Sequence, residues 1–289
     1  MMTLTAAIRL MMGLFALVCS ALPASLATGE PSPASEHVAR YGAMPFDGQH
    51  LYPDGGVAMS AAWLSRPEER IMVLTFDDGP DDRDLQIVDL LQQHRATATF
   101  FYIGRKAKAM PTVVEAVRTG RHAIGYHSYR HQQMSWLSRA DLVEDFRQGK
   151  AVMAALGVTV TWFRPPYGDF NDRVVRSAKE QGMETILWTI DSRDWAGIGA
   201  REMADNVIRQ FQPGAILLFH STRAASLQAL PALLRAAEQA HYRFVSLDEW
   251  LQIVQAANCR MTGQFCSSSP LAGEAAAPAP SGAATTPAR

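Results

Sequence analysis

Cysteine is scarce: the 289-residue chain has three, Cys19, Cys259 and Cys266. Once Cys19 leaves with an N-terminal leader, the remaining pair can form one local bridge at the chain end. No later cysteine or histidine follows that pair to complete a metal site. Basic runs are missing as well, and the formal net charge is −1. Nucleic acid and anionic membrane surfaces are therefore excluded as default partners. Long apolar runs are missing beyond the N-terminus. The one present, "LMMGLFALVCSAL" after Arg9, is short for a membrane-crossing helix. With "PASLATGEPSP" behind it, it reads as a secretory signal peptide over residues 1–27, cleaved after Ala27. An exported protein, periplasmic or secreted, with no stable membrane span is the expectation, in a compartment that permits the Cys259–Cys266 disulfide.

The two ends lack core-forming patterns. Residues 28–69 are rich in Gly, Pro and polar side chains and read as a loop-rich segment to which no role is assigned. From 258 the chain carries its two remaining cysteines, and beyond Cys266 it is Ala/Pro/Ser/Gly-rich, the composition of a disordered tail. Between them, residues 70–257 alternate short apolar runs with amphipathic stretches. The runs are 71–76, 98–103, 122–126, 159–163, 184–190, 215–219 and 242–247. Strand–helix alternation of this kind predicts an α/β fold, a parallel sheet with helices packed outside it, in one catalytic domain.

The runs share a second property. Asp77 and Asp78 follow the first, His127 the third, Arg164 the fourth, Asp191 and then Asp194 the fifth, and His220 the sixth. In a parallel barrel these C-terminal strand ends lie on one face, where such folds carry their chemistry; in an open parallel sheet they fall along one edge, at the switch crevice. "HSYRH" (127–131) spaces two histidines at i and i+4, which on a helical turn share one face and suit two ligands of one metal. Asp78, His127 and His131 would complete a three-ligand site, with Asp77 beside it as the base. An "HExxH" glutamate is absent, since Ser128 stands there, so the base must come from elsewhere. A calcium loop at "DDGPDDRD" is excluded by its ligand spacing, its glycine position and the missing closing Glu. Asp81, Asp82 and Asp84 then read as solvated or capping the following helix. Arg164 of "RPPYG" would orient Asp77, and the rigid turn would let an amide such as that of Tyr167 face an oxyanion. Asp194 would orient a histidine, Trp195 would wall the pocket, and His220 would act as general acid.

Together "TFDDGP" (75–80), "HSYRH" (127–131), "RPPYG" (164–168), "DSRDW" (191–195) and "LLFH" (217–220), in this order, resemble the polysaccharide deacetylase family, the NodB homology domain of carbohydrate esterase family 4. The resemblance covers about residues 70–250. It implies a distorted (β/α) barrel of about seven strands, a divalent metal (zinc first, cobalt or nickel as alternatives), and hydrolysis of N-acetyl groups on an amino-sugar glycan. By matching position it makes Asp77 the base and Asp78, His127 and His131 the ligands. Arg164 orients the base, and the Tyr167 backbone helps bind the oxyanion. Asp194 tunes the acid His220, and Trp195 and Leu218 form the niche for the acetyl methyl. Tyr126 departs from the pattern, where many members have Asn, and is expected to leave the ligand set intact while altering the groove. An O-acetyl esterase acting on a glycan such as xylan, or a non-catalytic glycan-binding protein, are the alternative readings.

Overall fold

The computed structural model describes residues 70–262. The expected leader, the 28–69 segment and Cys266 lie outside the described residues, and the disulfide expectation lies there with Cys266. The strands are β1 (Ile71–Gly79), β2 (Ala98–Tyr102), β3 (Ala123–Tyr126), β4 (Trp162–Phe163), β5 (Glu184–Thr185), β6 (Ile190–Asp191), β7 (Ile216–His220) and β8 (Arg243–Phe244). They pair in parallel in the order β5-β4-β3-β2-β1-β7-β6, with β8 against the start of β1. Helices cover the outside: α1 (Arg83–Gln93), α2 (Gly104–Ala109), α3 (Pro111–Thr119), α4 (Arg139–Ala155), α5 (Asp172–Glu180), α6 (Ala200–Ile208) and α7 (Ala224–Gln239). Helix α8 (Leu247–Thr262) runs beyond position 257, where the sequence pattern placed the start of the tail. The architecture is the expected distorted (β/α) barrel.

The distortion has a definite place. The run 184–190 is not one strand: β5 and β6 sit at opposite ends of the sheet, and residues 186–189 cross between them. Ile186 N–H still bonds Phe163 O and Thr189 N–H still bonds Ile216 O, each at 2.9 Å. Between those two bonds the ladder is interrupted, so the barrel has a seam.

Period-two alternation sorts the side chains into two cores. Met72, Leu74 and Phe76 of β1 join the large cluster under the helices. Ile71 and Val73 face the barrel interior with Phe101, Trp162 and Ile216. Helix α8 closes the N-terminal end of that interior with Leu247, Trp250 and Val254. Trp250 Nε1–H bonds Gly214 O at 2.9 Å, and Trp162 Nε1–H bonds Asp248 Oδ1 at 2.6 Å. Each of these buried large apolar side chains contributes about 2–3 kcal/mol. With one end plugged, polar residues that keep the interior parity can collect only at the other. Thr75 and Asp77 continue the 71–73 parity of β1, Arg164 that of Trp162, and Leu218 and His220 that of Ile216.

Candidate active site

In a regular strand Asp77 and Asp78 would point to opposite faces. They do not, because β1 bulges: its register against β2 jumps between Phe76 and Gly79, and Asp78 takes φ 68°. Both carboxylates therefore approach one imidazole. His127 Nε2 is 3.5 Å from Asp78 Oδ1 and 3.8 Å from Asp77 Oδ2. The backbone O of Asp78 accepts a bond from Lys106 Nζ at 2.7 Å, which holds the bulge from outside.

The histidine pair also departs from expectation. Residues 127–131 are not a helical turn; they form a loop with Ser128 and His131 both at φ 60°. The buried Ser128 Oγ accepts the His131 N–H at 2.8 Å, which folds the loop back on itself. His131 Nε2 lies 2.9 Å from Asp78 Oδ1. Residues with left-handed backbone cost about 1–3 kcal/mol each and persist where their surroundings dictate them. Asp78, Ser128, His131, Tyr167 and Arg193 are five such residues around this site.

Tyr126 does not face a groove, contrary to its expected effect. It is fully buried, and its hydroxyl bonds Asp145 Oδ1 and Asp145 O of α4, each at 2.7 Å. Asp145 in turn accepts the Tyr129 N–H at 3.0 Å, so the tyrosine anchors the histidine loop through one carboxylate. Gly149, one turn on along α4, makes the room: a Cβ there would stand 2.1 Å from Tyr126 Cε2. Gly149→Ala is expected to cost about 3 kcal/mol by overpacking and to lower zinc affinity through the displaced loop. Thermal melts and a zinc titration check both, and an unchanged Tm would contradict the contact.

Whether Asp78, His127 and His131 suit a metal can be read from their atoms. One ligand atom from each lies within 4.8 Å of the others. His127 Nδ1 is 2.7 Å from Arg164 O, a carbonyl that can only accept, so the proton is on Nδ1 and the Nε2 lone pair faces Asp78. Asp78 Oδ1 is buried and lacks a hydrogen-bond donor. Acceptors turned toward acceptors call for a cation between them, and one carboxylate with two imidazoles suits a borderline dication. The residues fit the implied metal.

Arg164 is fully buried and spends its whole fork on this region. Nη1–H reaches Asp77 Oδ1 at 2.9 Å and Thr75 Oγ1 at 2.6 Å. Nη2–H and Nε–H reach the seam carbonyls of Leu187 and Ile186 at 2.9 and 3.3 Å. Its guanidinium also lies over the Phe101 ring at 4.1 Å. Burial pulls its pKa down and Asp77 opposes that shift; the group stays charged.

On the other side of Asp77, β7 places His220 in register with it as the cross-strand partner. His220 Nδ1 is 2.7 Å from Asp194 Oδ1, and its backbone N–H bonds Asp194 Oδ2 at 2.7 Å. Burial alone would lower the His220 pKa, but Asp194 first, then Asp77 and Asp78, push it up to about 9. Ser226 of α7 adds a bond to Asp194 Oδ2 at 2.5 Å. Trp195 bonds Asp191 Oδ1 through Nε1 at 3.2 Å and is partly exposed, while Leu218 is 3% exposed beside Asp191. Tyr167, at φ 62°, packs edge-on to His131 with ring centroids 4.7 Å apart and sets its hydroxyl 3.2 Å from His131 Nδ1.

Several contributors had little signature. Thr75 was legible as a polar residue on interior parity. Ser226, Asp145 and Phe101 look like ordinary helix or strand positions. Asp84, expected to be solvated or to cap the helix, is fully buried: it accepts the Asp81 N–H at 3.0 Å at the start of α1 and Tyr102 O–H at 2.8 Å, and burial raises its pKa to about 6.

The chain is similar to known proteins in sequence and in fold. The family model described as "Polysaccharide deacetylase" matches residues 65–186. A peptidoglycan-N-acetylglucosamine deacetylase of Bacillus cereus is 36% identical over 210 residues, covering 71% of this chain and 97% of that one. Among solved structures, the Bc1960 peptidoglycan N-acetylglucosamine deacetylase superposes with TM-score 0.62 at 30% identity, covering 65% and 90% of the two chains. A family 4 carbohydrate esterase pseudoenzyme from Bacillus anthracis gives 0.61 at 30%, covering 64% and 66%. With its barrel, its strand-end cluster and these relatives, the chain belongs to the polysaccharide deacetylase family.

Proposed function

We propose that the protein is a metal-dependent N-deacetylase of amino-sugar glycans, with the N-acetylglucosamine units of peptidoglycan as its leading substrate. The observation that carries this is the meeting of a buried carboxylate, Asp77, and a half-buried imidazole, His220, on neighbouring strands with the Asp78–His127–His131 cluster. The substrate choice draws on the Bacillus cereus relative. A leader over residues 1–27 would deliver the protein to such a substrate outside the cytoplasmic membrane.

A divalent metal held by Asp78, His127 and His131, zinc by the chemistry of its donors, would supply Lewis-acid polarisation of the acetamide carbonyl and acidify water. Asp77, oriented by Arg164, takes the proton of the attacking water. The Tyr167 backbone amide faces the developing oxyanion. Trp195 and Leu218 receive the acetyl methyl. His220, kept protonated by Asp194, donates to the departing sugar nitrogen. Water adds to the carbonyl carbon, the C–N bond breaks, and acetate and a free amine result.

The first test is acetate release from N-acetylglucosamine oligomers and from peptidoglycan, before and after chelation and with zinc restored. Release lost with chelator and regained with zinc is expected. Release from acetylated xylan alone would replace the reading with an O-acetyl esterase. Absence of release from every substrate by zinc-loaded protein would leave a glycan-binding protein.

The acid role has a pH signature. His220 must be protonated, so kcat/KM should fall as the pH rises through about 9. A bound dication would cancel the Asp78 contribution and bring that limb lower. Because the folded pKa is raised, the His220–Asp194 pair stabilises the fold fully below roughly pH 6.5 and ceases to as the pH passes about 9. Asp194→Asn should move the activity limb down by at least one pH unit, about 1.4 kcal/mol of lost interaction. A limb that stays in place would remove His220 from the acid role.

A further inference from the structure

Among the described residues the exposed aromatic side chains are Trp136, Tyr167 and Trp195. They lie on the segments that follow β3, β4 and β6, all at the C-terminal end of the barrel. Tyr167 and Trp195 belong to the site already described. Trp136 does not, and it is the most exposed of the three at 79%.

A single exposed tryptophan is ordinary on a protein surface. Its setting here is not that of a loose surface residue. Trp136 ends a one-turn helix, Met134–Trp136, five residues after His131. Met134 is fully buried in the main core on one side, and Leu137 packs against that core on the other. Ser135 between them is tied down at both backbone groups. Its N–H and its hydroxyl both bond the carboxylate of the buried Asp169, at 3.1 Å and at 2.7–2.8 Å. Its carbonyl accepts from Asn171 Nδ2 at 3.2 Å and Arg173 Nη2 at 3.0 Å. Asp169 is two residues past Tyr167, so these bonds join the Trp136 turn to the loop that contacts His131. The backbone under the indole is fixed to the rim of the site, while the ring itself is left to solvent. Fixing the backbone beneath an aromatic ring before binding lowers the entropic cost of using it, and a broad, amphipathic ring suits a ligand with one apolar face and polar edges.

Resting on the glycan-deacetylase reading above, we propose that Trp136 is a stacking platform for a sugar ring of the same glycan chain, outside the ring that is deacetylated. A pyranose presents a face of C–H groups that covers the indole, with its hydroxyls directed to water. The platform would make the protein prefer long chains to short ones.

The test separates binding from turnover. N-acetylglucosamine hexamer and dimer are titrated calorimetrically into zinc-loaded Asp77→Asn protein, with Trp136 intact, as Trp136→Ala, and as Trp136→Phe. Hexamer binding should weaken about tenfold in Trp136→Ala, dimer binding by less than twofold, and Trp136→Phe should recover most of the loss. Unchanged hexamer binding, an equal loss for the dimer, or absence of hexamer binding by the parent protein would overturn the platform. Acetate release by protein with Asp77 intact is read separately. If it fails while hexamer binding still depends on Trp136, the reaction falls and the platform stands; the reverse pattern removes only the platform.

Discussion

Asp77→Asn should lower kcat by about 10³-fold, within the range of a removed general base, while zinc content stays at the parent level. The split follows from geometry. The metal-ligand atoms come from Asp78, His127 and His131, and none of them depends on a charge at position 77. An Asn oxygen can still accept from Arg164, but it cannot take a proton from water. The substitution also carries a stability cost. Arg164 is fully exchanged from water into protein, and Asp77 is its one carboxylate partner among the contacts described for it. Removing that charge leaves a buried cation without its counter-ion, which costs about 3–5 kcal/mol. Initial rates, bound zinc and thermal melts on the same preparation check all three. More than a tenth of parental activity would end the assignment of Asp77 as base; loss of zinc would mean it also serves the cluster.

Arg164→Lys keeps the charge and should still fail. Lys has one donor centre where the guanidinium has a planar fork. Four acceptors in different directions, Asp77 Oδ1, Thr75 Oγ1, Leu187 O and Ile186 O, cannot be met from one ammonium. Two of them are the seam carbonyls, which the interrupted ladder leaves to this side chain. About 3 kcal/mol of stability should be lost, lowering Tm by roughly 6–12 °C. The freed Asp77 carboxylate should cost on the order of 100-fold in kcat, the scale of a small misplacement of a catalytic group. A variant with normal Tm and depressed kcat would confine Arg164 to orienting the base. Normal values of both would show that charge, not the fork, is what the site uses.

Much of this protein was legible before its fold was seen. The apolar runs and their amphipathic partners announced a parallel sheet flanked by helices, because burial on both faces of a strand leaves a short continuous apolar signature; that the sheet curls into a distorted barrel came from the family resemblance. The ionisable residues behind those runs announced a site at one end, since parallel strands put their C-termini on one face. Tertiary structure was needed wherever the answer depended on a break in regularity. Adjacent Asp77 and Asp78 serve one site only because a bulge and a left-handed residue cancel the strand's alternation. His127 and His131 meet through a loop held by Ser128 and Asp145, although their spacing is that of a helical face. The run 184–190 reads as one strand and is two, at opposite edges, because residues 186–189 must cross the seam where Arg164 takes up their carbonyls. Tyr126 looked like a change in the groove and is a buried brace, a role set by Gly149 on a helix more than twenty residues away in sequence. Local pattern encodes which faces are buried; where a strand bends and which distant groups absorb the bend is decided by packing between elements that are not neighbours in the chain.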